Sequence, residues 1–212
     1  MFLITIVLLI VFILNIIVYW ILFLKVNNKE QKILKIYYKI FPSIWTLSII
    51  PIPILNTSFL ILFFPNNYSY FEYYWIYFTL LGIAFIIIGI NFAKRAKKLY
   101  KIKILDDNST NLITYGIFRL IRHPIYSAWA TIFLGLSFIS DSLTSLLVSV
   151  LIFVILEINA MVEEKLILLP KFGKAYENYK KKTPNRIIPT PLNLLLIIIT
   201  IIVVYVGFLN FN

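Results

Sequence analysis

The length of its apolar runs constrains this chain more than any other feature. The stretch FLITIVLLIVFILNIIVYWILFL, from Phe2 to Leu24, is followed by others of comparable character, and several reach the 18 to 20 residues needed to cross a bilayer core. Six apolar segments can be read: about Phe2–Leu24, Ile44–Phe64, Tyr70–Phe92, Ile125–Ile139, Leu143–Met161 and Leu192–Phe208. Pro51 and Pro53 predict a kink in the second, with Asn56 and Thr57 near enough to satisfy backbone groups there. The fourth is short and joins the fifth through a tight SDS turn at Asp141, predicting an antiparallel helical hairpin. Only 14% of residues are charged and the mean hydropathy is +0.91, far from a soluble domain of this size. The expected fold is all-α: a polytopic integral membrane protein of about six transmembrane helices. Its organisation reads as helices one to three over 1–92, a polar-rich region with helices four and five over 93–190, and a last helix over 191–212.

The distribution of charge sets the topology. All 20 basic residues fall in alternate loops, Lys25–Lys39, Lys94–Arg122 and Lys165–Arg186. The positive-inside rule puts these loops in the cytoplasm and both termini outside. Tyr68, Tyr70, Tyr73, Tyr74 and Trp75 predict an outer aromatic belt. Topology and anionic membrane lipids therefore account for the net charge of +11, and no nucleic-acid partner is implied. The Phe2–Leu24 segment lacks a basic start and a cleavage site and reads as a retained helix. The Ile, Lys, Asn and Tyr bias suggests an AT-rich prokaryotic genome and hence a plasma membrane. With no cysteine and one histidine, thiolate chemistry, disulfides and His-rich or Cys-ligated metal sites are excluded. Sparse polar residues through the middle of the segments also argue against a transporter site.

The outer connections are minimal, so chemistry has to be built in the two long cytoplasmic stretches, Ala93–Pro124 and Glu163–Pro189. In LDDNSTNLITYGIFRLIRHP, Gly116 offers a flexible joint and Pro124 suits the first turn of the fourth helix. That helix N-terminus, beside Arg122 and His123, favours an anionic group. In EINAMVEEKLILLP, Glu157, Met161 and Glu164 share one helical face with Glu163 alongside. The hairpin brings both clusters together at the cytoplasmic face. Two readings stand: an ion-pair lock between helices, or a pocket for a zwitterion, with its carboxylate at the Arg/His corner and its ammonium at the glutamates. In KFGKAYENYKKKTPNRIIP, Phe172, Tyr176 and Tyr179 recur at helical spacing, predicting an amphipathic helix resting on the membrane surface and able to lid the pocket.

Taken in order, LITYGIFRLIRHPIY, an apolar hairpin, the Glu pair, FGKAYENYKKKTP and IIP resemble the isoprenylcysteine carboxyl methyltransferase and phospholipid methyltransferase superfamily, over about Leu112–Pro189. The resemblance implies an integral membrane enzyme using S-adenosylmethionine to methylate a lipophilic small-molecule or lipidated acceptor. It implies that His123, Pro124, Ile125 and Tyr126 contact the cofactor, that Phe118 packs on it, and that the Thr110–Ile113 backbone, including Leu112 and Ile113, lines it. One of Glu163 and Glu164, with Glu163 preferred, holds its amino or ribose end. Arg122 and Glu164 take the catalytic positions, and Glu157 and Asn159 the substrate side. Glu157 or Glu164 can assist an acceptor that has to lose a proton. The chain departs from the family in two places. The prenylcysteine enzymes carry an arginine one turn before the Glu pair, where Glu157-Ile158-Asn159-Ala160 stands here, and the Glu164–Phe172 interval is about one residue longer. TPNRIIP also resembles the tail of the NADPH-binding sterol reductases, where Arg186 and Lys180–Lys182 supply a 2′-phosphate contact. A membrane reductase is the alternative reading, and a non-catalytic scaffold the third.

Overall fold

The computed structural model describes residues 2–25, 44–56, 75–105 and 112–188, together with 198, 201 and 205. Every regular element among them is helical. The chain divides into two compact units, Met1–Ser69 and Tyr70–Asn212.

In the first unit, α1 (Phe2–Lys25) and α2 (Ile44–Leu55) are apolar helices. Ile50 keeps helical angles (φ −59°, ψ −37°) just before Pro51, which opens the last turn of α2. Asn56 Nδ2 donates to Ile52 O at 2.8 Å, a carbonyl that also accepts from Asn56 N at 3.1 Å. The side-chain amide therefore closes the end of α2 and does not reach the carbonyls of Leu47 and Ile49, which Pro51 and Pro53 leave without a donor. The same amide donates to Thr5 Oγ1 at 2.8 Å, and Phe12 meets Trp45 edge-on, so polar and aromatic contacts tie α1 to α2. Interhelical hydrogen bonds of this kind are favoured where lipid offers no competing partner.

The second unit carries the site. Helix α3 (Trp75–Leu105) spans roughly 46 Å at the usual 1.5 Å per residue. It continues well past Phe92, so Lys94–Lys103, expected as loop, is helical. Ala, Lys and Arg are strong helix formers, and no breaker interrupts AKRAKKLYKIKIL. Helix α4 (Pro124–Ile139) lies against α3 at glycine contacts. A Cβ on Gly82 would lie 2.5 Å from Gly135 O, and one on Gly89 would lie 2.9 Å from Ala128 O. The two helices therefore touch backbone to backbone, with Phe78 and Phe85 stacked on Phe138 beside the contact.

The predicted hairpin is present. Asp141 takes φ +49°, a conformation Asp tolerates better than most residues, and Ser142 accepts from Ser145 N to cap α5 (Leu143–Glu163). Ser137 Oγ donates across the turn to Ser145 O at 3.0 Å. Beyond α5 the chain widens into a π turn, Glu164–Leu168, followed by α6 (Leu169–Phe172) and α7 (Lys174–Lys182). Pro170 explains the π turn. It has no N–H for the α-pattern bond to Leu166 O, and a widened turn absorbs one extra residue before the ring. This is the interval that is one residue longer than the resemblance predicts. Gly173, at φ +50° and ψ −128°, then redirects the chain into α7.

One expectation is corrected. The aromatic face of α7 is turned onto protein rather than bilayer: Tyr176 and Tyr179 are buried against Ala96, Ile113, Ile117, Phe118 and Ile121. Helical amphipathicity reports that a face needs covering, and here the loop before α4 supplies the cover. Three described helices are long and apolar enough to cross a membrane, over Leu3–Ile21, Ile76–Tyr100 and Thr144–Phe172; Ile44–Leu55 and Pro124–Ile139 are shorter. The predicted Leu192–Phe208 span apart from residues 198, 201 and 205, the Tyr68–Tyr74 part of the aromatic belt, the Lys29–Lys39 loop, Thr57, and Thr110–Asn111 of the cofactor-lining stretch lie outside the described residues.

Candidate functional site

The segment leading into α4 is shaped by its glycine. Gly116 adopts φ +63°, a backbone conformation that favours glycine, while a Cβ there would meet only the movable end of the Leu99 side chain, Cδ1 at 2.8 Å. A 3-10 turn, Gly116–Arg119, buries Ile117 and Phe118, and the chain then runs out through Ile121, Arg122 and His123, all buried. This stretch pairs with the segment after α7. Arg122 N donates to Asn185 O at 3.1 Å and His123 N to Arg186 O at 2.9 Å. Arg122 Nη1 donates to the carbonyls of Thr183 and Pro184 at 2.6 and 2.7 Å. Thr183 Oγ1 donates to Arg119 O at 3.2 Å, and Tyr179 Oη to Phe118 O at 2.6 Å. Residues 183–187 are thus clasped to 118–123, and the clasp delivers Arg186 to the glutamates.

The glutamates come from α5 and its π-turn extension. Glu164 is buried, and its Oε1 accepts from Arg122 Nε at 2.9 Å, His123 Nε2 at 3.2 Å and Arg186 Nε at 3.1 Å. Arg186 Nη1 is paired with Glu157, two helical turns before Glu164 on the same face. On the other side of the imidazole, His123 Nδ1 lies 3.5 Å from Glu163 Oε2. A neutral imidazole has one N–H, so carboxylates facing both ring nitrogens call for the imidazolium. The network then holds three cations, Arg122, His123 and Arg186, against three anions, Glu157, Glu163 and Glu164. Burial alone would lower the His123 pKa, but the hydrogen bonds to Glu163 and Glu164 outweigh it and raise the value above the ordinary histidine range. Burial likewise works against the Arg186 charge, and Glu157 and Glu164 more than restore it.

The predicted residues fall into three groups. Arg122, His123, Glu157, Glu163 and Glu164 meet in the ion-pair network. Tyr126 stacks parallel on His123 with ring centroids 5.5 Å apart, and its hydroxyl accepts from Asn159 Nδ2 at 2.9 Å, so Asn159 reaches the site through Tyr126. Pro124 is buried at the first turn of α4, one residue after His123. Ile113 and Phe118, with Leu112 and Ile125 at the margin, belong to the apolar cluster under α7, where Tyr100 meets Phe118 edge-on. The Glu157 and Glu163 side chains are each 28% exposed against 5% for Glu164, so they form the accessible rim of the network and Glu164 its floor. A separate cavity of about 450 Å³ is lined by Leu169, Glu177, Lys180 and Lys181, none of which belongs to the network.

Sequence reasoning left Arg186 out of this constellation, weighing it only as a phosphate contact. Its charge partners, Glu157 and Glu164, were already in view, and an arginine between two prolines after an amphipathic helix was the available signal.

Residues 74–175 match the phospholipid methyltransferase family. The match is consistent with the superfamily of isoprenylcysteine carboxyl and phospholipid methyltransferases, and it supports a membrane methyltransferase in general. No curated protein and no solved structure matches the chain.

Proposed function

Starting from a membrane chain whose residues 74–175 match the phospholipid methyltransferases, we propose that the protein transfers a methyl group from S-adenosylmethionine to a lipophilic acceptor, with its pocket facing the cytoplasm. The observation that carries this reading is the meeting of Arg122, His123 and Arg186 with Glu157, Glu163 and Glu164 at the N-terminus of α4. The donor set fits a zwitterionic cofactor. His123, Arg186 and the first amides of α4 suit a carboxylate, and Glu163, reachable at the rim, suits an ammonium. S-adenosylmethionine, when bound, supplies an electrophilic methyl on a sulfonium.

The chain's own contribution is orientation and exclusion of water. Tyr126, held by Asn159 and stacked on His123, fixes the plane of the imidazole. Arg122 spends its Nε on Glu164 and its Nη1 on two carbonyls, so it acts as a positioning residue that builds the wall, and Glu164 anchors the three cations around it. Glu157 stands on the rim, placed to take a proton from an amine or thiol acceptor. An acceptor dissolved in lipid arrives between helices, and the water-soluble cofactor from the cytosol, where the basic residues put this face.

Calorimetric titration of the detergent-purified protein with S-adenosylmethionine and with NADPH tests the proposal. Saturable binding of S-adenosylmethionine, weakened in His123→Ala and Glu163→Gln, is expected. Binding of NADPH alone would replace the methyltransferase reading with a reductase. Binding of neither by folded protein would leave the constellation as an ion-pair lock.

A further inference from the structure

The cavity between α6 and α7 stands apart from the ion-pair network. Around about 450 Å³ it is lined by Leu169, which opens α6, and by Glu177, Lys180 and Lys181 of α7. Positions 177, 180 and 181 share one helical face. The adjoining face, with Tyr176 and Tyr179, packs on the apolar cluster beneath the helix. Glu177 and Lys181 are one turn apart, in the order that suits an ion pair. Even so, among the described residues no ion pair and no side-chain hydrogen bond engages Glu177, Lys180 or Lys181. Two ammonium groups and one carboxylate thus line a single hollow with their bonding capacity unused. Leu169 lies near the end of the apolar span Thr144–Phe172, and the charged wall follows it directly in the chain. The floor is therefore at the edge of the hydrocarbon layer and the wall at the depth of lipid head groups.

We propose that this cavity holds the head group of an anionic membrane phospholipid, with its phosphodiester on Lys180 and Lys181, its hydroxyls on Glu177 and the start of its acyl chains against Leu169. Charge selects the class of lipid. Two cations and one anion leave one positive charge in excess, which matches a phosphodiester carrying a neutral, hydroxyl-bearing head such as phosphoglycerol. The Glu177 carboxylate accepts from those hydroxyls. A zwitterionic head group would leave the excess unmet. The occupant touches both walls, and the walls meet at Gly173, whose φ of +50° and ψ of −128° set the angle between α6 and α7. Lys180 and Lys181 also stand just before Thr183, whose carbonyl accepts from Arg122 Nη1. A bound lipid therefore steadies the joint before α7 and the clasp after it, and the network senses the membrane without sharing a residue with the lipid site.

The full-length protein in neutral detergent, titrated with phosphatidylglycerol and followed by melting temperature, tests the site. Phosphatidylglycerol should raise the wild-type melting temperature saturably. Lys180→Gln/Lys181→Gln should match wild type without lipid, since both side chains are exposed and unbonded. Its half-saturation should need about twenty-fivefold more lipid, about fivefold for each lysine lost at the membrane surface. Lys174→Gln/Lys182→Gln removes the same charge from α7 outside the lining and should stay close to wild type. Equal half-saturation in wild type and the cavity variant overturns the proposal. Equal weakening in Lys174→Gln/Lys182→Gln does so too, by reducing the effect to general attraction. Phosphatidylethanolamine acting as strongly as phosphatidylglycerol overturns the choice of an anionic lipid, and deacylated glycerophosphoglycerol binding as tightly as the lipid overturns a membrane source. None of these measurements needs S-adenosylmethionine, so the lipid site and the methyl-transfer reading fail separately.

Discussion

A methyl group added at the α3–α4 crossing has a cost that can be worked from the coordinates. In Gly135→Ala the new Cβ lies 2.5 Å from Gly82 O, 2.8 Å from Ile86 Cγ1 and 3.1 Å from Ile86 N. Ordinary contact begins at 3.4 Å, so the methyl intrudes by about 0.9 Å on a carbonyl oxygen. The Ile86 side chain can turn away, but the carbonyl belongs to the backbone of α3 and can yield only if the helices separate. Overpacking of this kind costs about 1–3 kcal/mol, and the backbone contact puts Gly135→Ala at the upper end, near 3 kcal/mol. Gly82→Ala meets Gly135 O at the same 2.5 Å and should cost about the same. The double variant should cost about 1–2 kcal/mol less than the sum, because helices already parted by one methyl accommodate the second. Reversible unfolding in mixed micelles, followed by tryptophan fluorescence, measures all three. Close approach through small residues is how membrane helices associate without a hydrophobic drive between them. Gly135→Ala with unchanged stability, or strict additivity in the double variant, would refute the backbone-to-backbone contact.

Three further outcomes are expected. The raised His123 pKa stabilises the fold fully below the unfolded value of 6.5, and that contribution is lost as pH rises through the higher folded value. Melting temperature should therefore decline as pH rises above 6.5, and His123→Ala should flatten this part of the curve. Arg186→Gln removes the partner of Glu157 and one of three donors on Glu164, and should cost about 2 kcal/mol in the same unfolding assay, below the figure for a sealed pair because the rim is partly wet. Tyr179→Phe deletes the bond to Phe118 O and should cost about 1 kcal/mol in the same assay.

The sequence disclosed the parts of this architecture that are local or periodic. The hairpin followed from the short SDS turn between apolar runs, and Glu157, Glu163 and Glu164 were grouped by helical spacing. Their meeting with Arg122 and His123 then followed from an antiparallel hairpin with both ends on one side. The clasp between 118–123 and 183–187 was not legible, because backbone pairing across about 60 residues leaves no periodic trace. Arg186 was missed with it. The partner of the tyrosine face was ambiguous for a different reason: spacing shows that Tyr176 and Tyr179 need an apolar cover but not whether lipid or protein supplies it. The helical course of Lys94–Lys103 was obscured by its charge, which marks the end of an apolar span without marking the end of a helix.

The central claim is that the charged corner before α4 and the glutamates of α5 and its π turn form one cofactor-dependent methyl-transfer site. Its most direct test is transfer of radiolabelled methyl from S-adenosylmethionine into the lipid-extractable fraction of membranes containing the protein, with Glu163→Gln membranes alongside. Label entering the organic phase with wild type and falling at least tenfold with Glu163→Gln is the expected result. Label at background with both, from membranes in which the protein is folded, would contradict it.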